Sequence, residues 1–330
     1  QQCWVDGVQV DEGSTAATFT TTAAPIVYRF DGYVDEWPLE WPGGGDSEAT
    51  SVVTALDLQS RVGRMRSFGS VIAETYALDA PLWHFPLSEA ADSTSVGDIR
   101  GTGRTLTPRL RGDLGGELTF ASGTGPATDG TGAPQFAPFD SNNGYVLVGD
   151  VTRDVLAMGQ TLEVSFLSST LAPQAVAQWS DPYGTLIRLS LDATGHAVAS
   201  YVDPWAPANS RTVTSSQVFA DGRTHVGAVT LALSSGTYTL RLWVDGVERG
   251  TAATVTTGAV LPADLTSLRV GGSDYPRNLF TGTISHVAAF GTALPGATLL
   301  EHYAANSTGF AGETSDERIE RVWSWLGMPA

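Results

Sequence analysis

Tyr238-Thr239-Leu240-Arg241-Leu242-Trp243-Val244-Asp245-Gly246-Val247 (YTLRLWVDGV) decides how the rest of the chain is read. Tyr238, Leu240, Leu242 and Val244 stand at every second position with Thr239 and Arg241 between them, the period of a strand with one face buried. Asp245-Gly246 then sits between apolar residues, and a two-residue hairpin turn needs positive φ, which Gly and Asp tolerate. The stretch predicts an antiparallel hairpin.

The pentapeptide WVDGV also occurs at Trp4–Val8. A duplicated domain would carry the same downstream sequence after each copy, but the second copy leads into Leu268-Arg269-Val270-Gly271-Gly272 and Gly282–Phe290, whereas the first leads only into Pro42–Glu48. One hairpin is used in two places. Working outward, Leu162–Leu167, Leu186–Leu191, Ala197–Val202 and His225–Leu231 mostly alternate in the same way, separated by turn residues at Asp192–Gly195 and Ser234–Gly236. Regular strands and short turns predict an all-β chain built on a two-sheet antiparallel sandwich.

Composition agrees. Charged residues make up only 16% of the 330 residues, while Gly, Thr, Ser, Ala and Val abound. All 18 Lys and Arg are Arg, as expected of a high-GC genome. A net charge of −17 repels a phosphate backbone and no Arg-rich run offsets it, so nucleic acid is not an expected partner. Cys3 stands alone, which excludes an internal disulfide framework and a multi-cysteine zinc site. No apolar run reaches the length of a membrane span. The first residue is Gln1, the expectation for part of a longer polypeptide.

The ends read differently from the middle. Residues 1 to about 75 offer extended segments at Ile26–Phe30, Gly32–Val34 and Ser51–Ala55, a loop at Trp37–Gly45, and a short helix in Leu56–Val62. Thr314-Ser315-Asp316-Glu317 is a capping-box pattern, and Ile319, Val322, Trp323 and Leu326 follow on one face before Gly327 and Pro329. This predicts a helix over 315–326 whose apolar face needs a partner. The expected organisation is a β-rich scaffold segment at 1–78, a sandwich at 79–306, and a linker with a C-terminal amphipathic helix at 307–330.

The central region resembles the laminin-G-like, concanavalin-A-like jelly-roll superfamily. Asp79–Glu89 is similar to the opening of many members, and Phe139–Val148, Gly222–Val229, Leu242–Val247, Phe280–Phe290 and Leu299–Tyr303 follow in family order. The outer segments, Tyr28–Pro38, Val52–Asp57 and Asp316–Pro329, resemble minor tail proteins of siphophages infecting high-GC Gram-positive bacteria. This second resemblance implies a virion protein of the phage tail tip, extracellular, partnered by other tail-tip proteins and copies of itself. A secreted or surface carbohydrate-binding module, or a glycosidase remnant, is the alternative.

Catalytic signatures are missing. The chain has no His-Glu-x-x-His, no Gly-x-Ser-x-Gly, no Walker loop and no dinucleotide fingerprint. Glycosidases of the resembled superfamily set paired acids on one strand, whereas the strands here carry isolated acids such as Glu163. The expectation is a protein that is not an enzyme. His84, His225 and His286 read as packing or edge residues, since no paired spacing or neighbouring Cys points to a metal. Asp140–Gly144 has the look of a calcium-loop fragment but lacks further acids, and reads as a strand-entry turn. The jelly-roll resemblance implies calcium at loop rims, with Asp98, Asp181, Asp203 and Asp274 as candidate ligands.

Three aromatic loops stand out: Trp179–Gly184, Tyr201–Pro207 and Ser273–Asn278. Aromatic faces stack on sugar C–H surfaces while carboxylates hydrogen-bond hydroxyls. On that reading Trp179, Tyr183, Trp205 and Tyr275 contact a host cell-wall glycan, with Asp181 and Asp203 orienting its hydroxyls. The other reading makes the same rings plugs of the sandwich ends or contacts with a neighbouring subunit.

Overall fold

The structure is a computed structural model. It describes residues 70–122, 125–127, 132–151, 159–256, 265–273 and 278–309, and the strand backbones of a separate N-terminal unit. The helix expected at 315–326, the strand at Ile26–Phe30, Asp274 and Tyr275 lie outside the described residues. The chain divides into two units, 1–67 and 68–330, so the boundary falls ahead of the one expected at 78.

Within the first unit Gln2–Val5 pairs antiparallel with Val8–Asp11, Val5 opposite Val8. The second WVDGV pairs Val244 with Val247 in the same register. One pentapeptide therefore specifies one hairpin twice. Gly32–Glu36 pairs with Thr54–Asp57, and Leu39–Glu40 with Thr50–Ser51. Leu39 and Glu40, expected in a loop, are strand residues, as are Leu56 and Asp57 of the expected short helix; its remainder lies outside the described residues.

The second unit holds the sandwich. Its strands in chain order are β1 (Trp83–Phe85), β2 (Val96–Gly97), β3 (Thr105–Arg111), β4 (Gly116–Thr119), β5 (Gln135–Pro138), β6 (Gly144–Asp150), β7 (Gly159–Leu167), β8 (Gln174–Ser180) and β9 (Leu186–Leu191). They continue as β10 (His196–Val202), β11 (Arg211–Val218), β12 (Thr224–Ser234), β13 (Thr237–Val244), β14 (Val247–Glu248), β15 (Ala253–Thr256), β16 (Ser267–Val270) and β17 (Gly282–Phe290). A nine-stranded sheet runs β4-β5-β17-β7-β12-β13-β14, with β1 on β17 and β15 on β13. An eight-stranded sheet runs β11-β10-β9-β8-β16-β6-β3-β2. All pairings among these strands are antiparallel. The β13–β14 turn has φ of 56° at Asp245 and 70° at Gly246, the positive pair a tight two-residue hairpin demands.

Strand parity places the core. Leu162, Val164 and Phe166 of β7 face the eight-stranded sheet and meet Ile187, Leu189 and Leu191 of β9 and Leu240, Leu242 and Val244 of β13 in one cluster. Glu163 and Ser165, of opposite parity, are just as buried, because the outer face of the nine-stranded sheet is covered by two helices. These are α1 (Val71–Leu78) and α2 (Gly296–Ser307). The Ser70 side chain accepts the Ala73 N–H and caps α1. Val71, Ile72 and Tyr76 of α1 pack with Leu299 and Ala305 of α2 on Ala228, Ala288 and Phe290. α1 thus belongs to the sandwich and not to the scaffold segment.

A polar network lies beneath the helices. Tyr76 Oη donates to Glu163 Oε1 at 2.8 Å, and His302 of α2 bonds Glu163 Oε2 through Nδ1 at 2.8 Å and Asp79 Oδ2 through Nε2 at 3.0 Å. An ionised carboxylate only accepts, so a carboxylate on each ring nitrogen favours the imidazolium form of His302. Burial disfavours that imidazolium, but Glu163 and Asp79 outweigh it and hold His302 above its ordinary value. His225 is placed in the same way: burial pulls it down, and Asp245 and Asp221, at 2.8 and 3.0 Å, raise it further than that.

A histidine raised in the folded state contributes stability that is full below its unfolded value of about 6.5 and is lost as pH rises through the folded value. The sandwich is therefore expected to unfold at lower urea concentration at pH about 9 than at about 6, and His302→Gln should flatten that difference. A flat profile in the native sequence would contradict the imidazolium.

Candidate functional site

Asp181-Pro182-Tyr183 and Asp203-Pro204-Trp205 fold alike. Asp181 Oδ1 accepts the N–H of Tyr183 at 2.8 Å, and Asp203 Oδ1 that of Trp205 at 3.0 Å, two residues on in each case. A second N–H closes each turn, Thr185 on Asp181 and Ala206 on Asp203. These are Asx turns, in which a carboxylate replaces the carbonyl of a backbone turn. One oxygen of each carboxylate, Oδ1, is engaged by its own loop and positions the aromatic residue that follows.

The turns follow β8 and β10, and Leu186 of β9 pairs with Val202 of β10, so both lie side by side at one end of the sheet. A Cβ on Gly184 would meet Pro204 Cγ at 3.4 Å. Tyr183 is 68% and Trp205 76% exposed. Trp179 is the opposite case. It is 2% exposed, its Nε1 donates to the Leu265 carbonyl at 2.8 Å, and its ring meets Trp83 edge-on at 5.7 Å between centroids. Trp179 is a core residue and presents no face to a sugar. Tyr275 lies outside the described residues.

Beside the two rings, the outer face of the eight-stranded sheet forms a polar groove. One cross-strand row reads Ser200, Arg188, Gln178, Arg269, Val148, Thr107, each opposite the next. Two hollows of about 510 and 530 Å³ lie along this face and meet at Asp150. Gln178, Ser180, Asp181, Ser267 and Arg269 line the first, next to the Tyr183 turn; Thr107, Arg109 and Val148 line the second. Arg269 donates to Ser267 Oγ at 3.1 Å and Ser180 Oγ at 3.3 Å. Arg188 has no hydrogen-bond or ion-pair partner among the described residues, and burial pulls its guanidinium below the ordinary value.

The sequence reading missed these arginines because they come from β3, β9 and β16, far apart in the chain. The available sign was position: Arg188 stands between Ile187 and Leu189, and Arg269 between Leu268 and Val270, so each points away from the core.

Of the candidate calcium ligands at the loop rims, Asp274 lies outside the described residues. Asp140 spends Oδ1 on the N–H groups of Asn142 and Asn143, which lower its carboxyl, and Asp98 accepts the N–H of His84 and Arg100. No group of three or more His, Cys, Asp or Glu is placed to hold a metal among the described residues.

Residues 140–299 match the model of the Laminin_G_3 family, the concanavalin A-like lectin/glucanases superfamily. The sandwich is a concanavalin-A-like jelly roll. No curated protein matches the sequence. Similar solved structures include the botulinum neurotoxin serotype G binding domain, at 10% identity and TM-score 0.46, covering 69% of this chain and 51% of that one. The binding domain of Paraclostridial Mosquitocidal Protein 1 has 10% identity and TM-score 0.45, covering 67% and 52%. The Ruminococcus gnavus IT-sialidase CBM40 bound to α2,3-sialyllactose has 15% identity and TM-score 0.35, covering 46% and 84%. The chain thus spans about half the length of the first two.

Proposed function

We propose that the sandwich is a glycan-binding adhesion module, displayed at the tip of a phage tail, where it contacts the host cell surface. The observation that carries the glycan reading is the open groove lined by Asp181, Pro182 and Gly184 of the Tyr183 turn, with Tyr183 and Trp205 exposed on two neighbouring Asx turns. Stacking rings beside a row of amide, hydroxyl and guanidinium groups are what a saccharide needs, C–H faces to rings and hydroxyls to polar side chains. The tail-tip placement is supported by the resemblance of the outer segments, with other tail-tip proteins and copies of this chain as partners. The module binds and does not hydrolyse: Glu163 is enclosed beneath α1 and α2, and of the groove's Asp150 and Asp181 the latter has an oxygen bound into its own turn.

Trp205→Ala is expected to weaken adsorption to host cell walls about fivefold, the equivalent of roughly 1 kcal/mol for one aromatic contact, without moving the melting temperature. Tyr183→Ala should act in the same direction. Undiminished adsorption of the double variant would overturn the glycan reading.

A further inference from the structure

Arg188 and Gln178 are neighbours on the outer face, opposite each other on β9 and β8, with Arg269 opposite Gln178 on the far side. The Gln178 side chain is 2% exposed, yet its amide makes no hydrogen bond among the described residues and lines the first hollow. Arg188 is half-buried, and its Nε is enclosed without a partner. A guanidinium stays charged at any physiological pH, and a charge withdrawn from water without a counter-charge is costly. Adjacent strands are about 4.8 Å apart, so the two arginines rise about 10 Å from each other with the amide between them. Arg109 adds a third cation along the same face, lining the second hollow. The carboxylates facing this row are Asp150, where the hollows meet, and Asp181 at the turn. In a chain of net charge −17, three arginines on one open face form a local reversal of sign.

We infer that the groove takes a negatively charged saccharide residue, a uronic-acid carboxylate or a sugar or polyol phosphate, seated over Gln178 between Arg188 and Arg269. Guanidinium groups pair with either anion through two parallel N–H donors, and the Gln178 amide offers a donor and an acceptor to a neighbouring hydroxyl. This rests on the glycan reading and specifies its ligand.

The test is a titration of the whole chain followed through the arginine Nε–H NMR signals, with methyl β-glucuronide, its methyl ester and glycerol 3-phosphate as probes. An anion is expected to shift the Arg188 signal saturably while the neutral ester does not. The anion that saturates at lower concentration identifies the carboxylate or the phosphate as the source. Arg188→Gln should weaken binding of that anion about thirtyfold or more, the scale for truncating one partner of a buried charge pair. Gln178→Glu, which places a like charge under the ligand, should abolish it. Equal binding of acid and ester would overturn the charge inference and leave the glycan reading standing. No shift with any probe would overturn the inference, and the adsorption test on Trp205 and Tyr183 would then decide the glycan reading separately.

Discussion

Glu163→Ala is expected to destabilise the sandwich by about 3–5 kcal/mol, the cost of removing one member of a buried ion pair and leaving the other uncompensated. Glu163 is fully buried at the centre of the nine-stranded sheet, and Tyr76 and His302 both aim at it. Without it the Tyr76 hydroxyl loses its acceptor and the His302 imidazolium keeps only Asp79. The two helices would then sit on a cavity holding a displaced charge. For a unit of this size the melting temperature should fall on the order of 10 °C. Glu163→Gln keeps an acceptor for Tyr76 and removes only the charge, so it should cost less and weaken the pH dependence. Thermal melts of the two variants at one pH would check this, and a loss in Glu163→Ala below about 1 kcal/mol would show that the network contributes nothing to holding the helices.

Trp179→Ala should be comparably damaging, for a different reason. Removing a large, fully enclosed aromatic ring costs about 3–5 kcal/mol, from lost burial and from the cavity left behind. Trp83 would lose its edge-on partner and the Leu265 carbonyl its donor. Trp205→Ala, with the ring 76% exposed, should leave the melting temperature where it was. Urea titrations of both variants make the contrast direct. Equal midpoints would mean that the core assignment of Trp179 is wrong.

The two tryptophans show where the sequence could be read and where it could not. Strands such as Leu186–Leu191 alternate without interruption, so Ile187, Leu189 and Leu191 were assignable to the core from period alone. In β8 the register shifts between Ala175 and Ala177, a bulge that turns Val176 and Trp179 to the same side although they are three apart. Strict alternation cannot see a bulge, and the Asp-Pro after it made Trp179 look like a loop residue. α1 was missed because Val71-Ile72, both β-branched, open it as they would a strand, and only the Ser70 cap speaks for a helix. The aromatic turns were legible because Asp-Pro-aromatic is local chemistry. The groove was not, because Arg109, Arg188 and Arg269 meet only through pairings the fold creates.

The Asx turns under Tyr183 and Trp205 fasten main-chain N–H groups, not rings. Whatever residue comes after Asp-Pro inherits the same anchored backbone, so its side chain is free to change without disturbing the strands that carry it. A population of such chains facing surfaces of differing composition could exchange Tyr for Trp, Phe, His or Arg at these two positions by single substitutions, each variant folding as well as the last. The durable part of recognition would be the arginine row on the sheet, and its adaptable part the two residues standing on the turns.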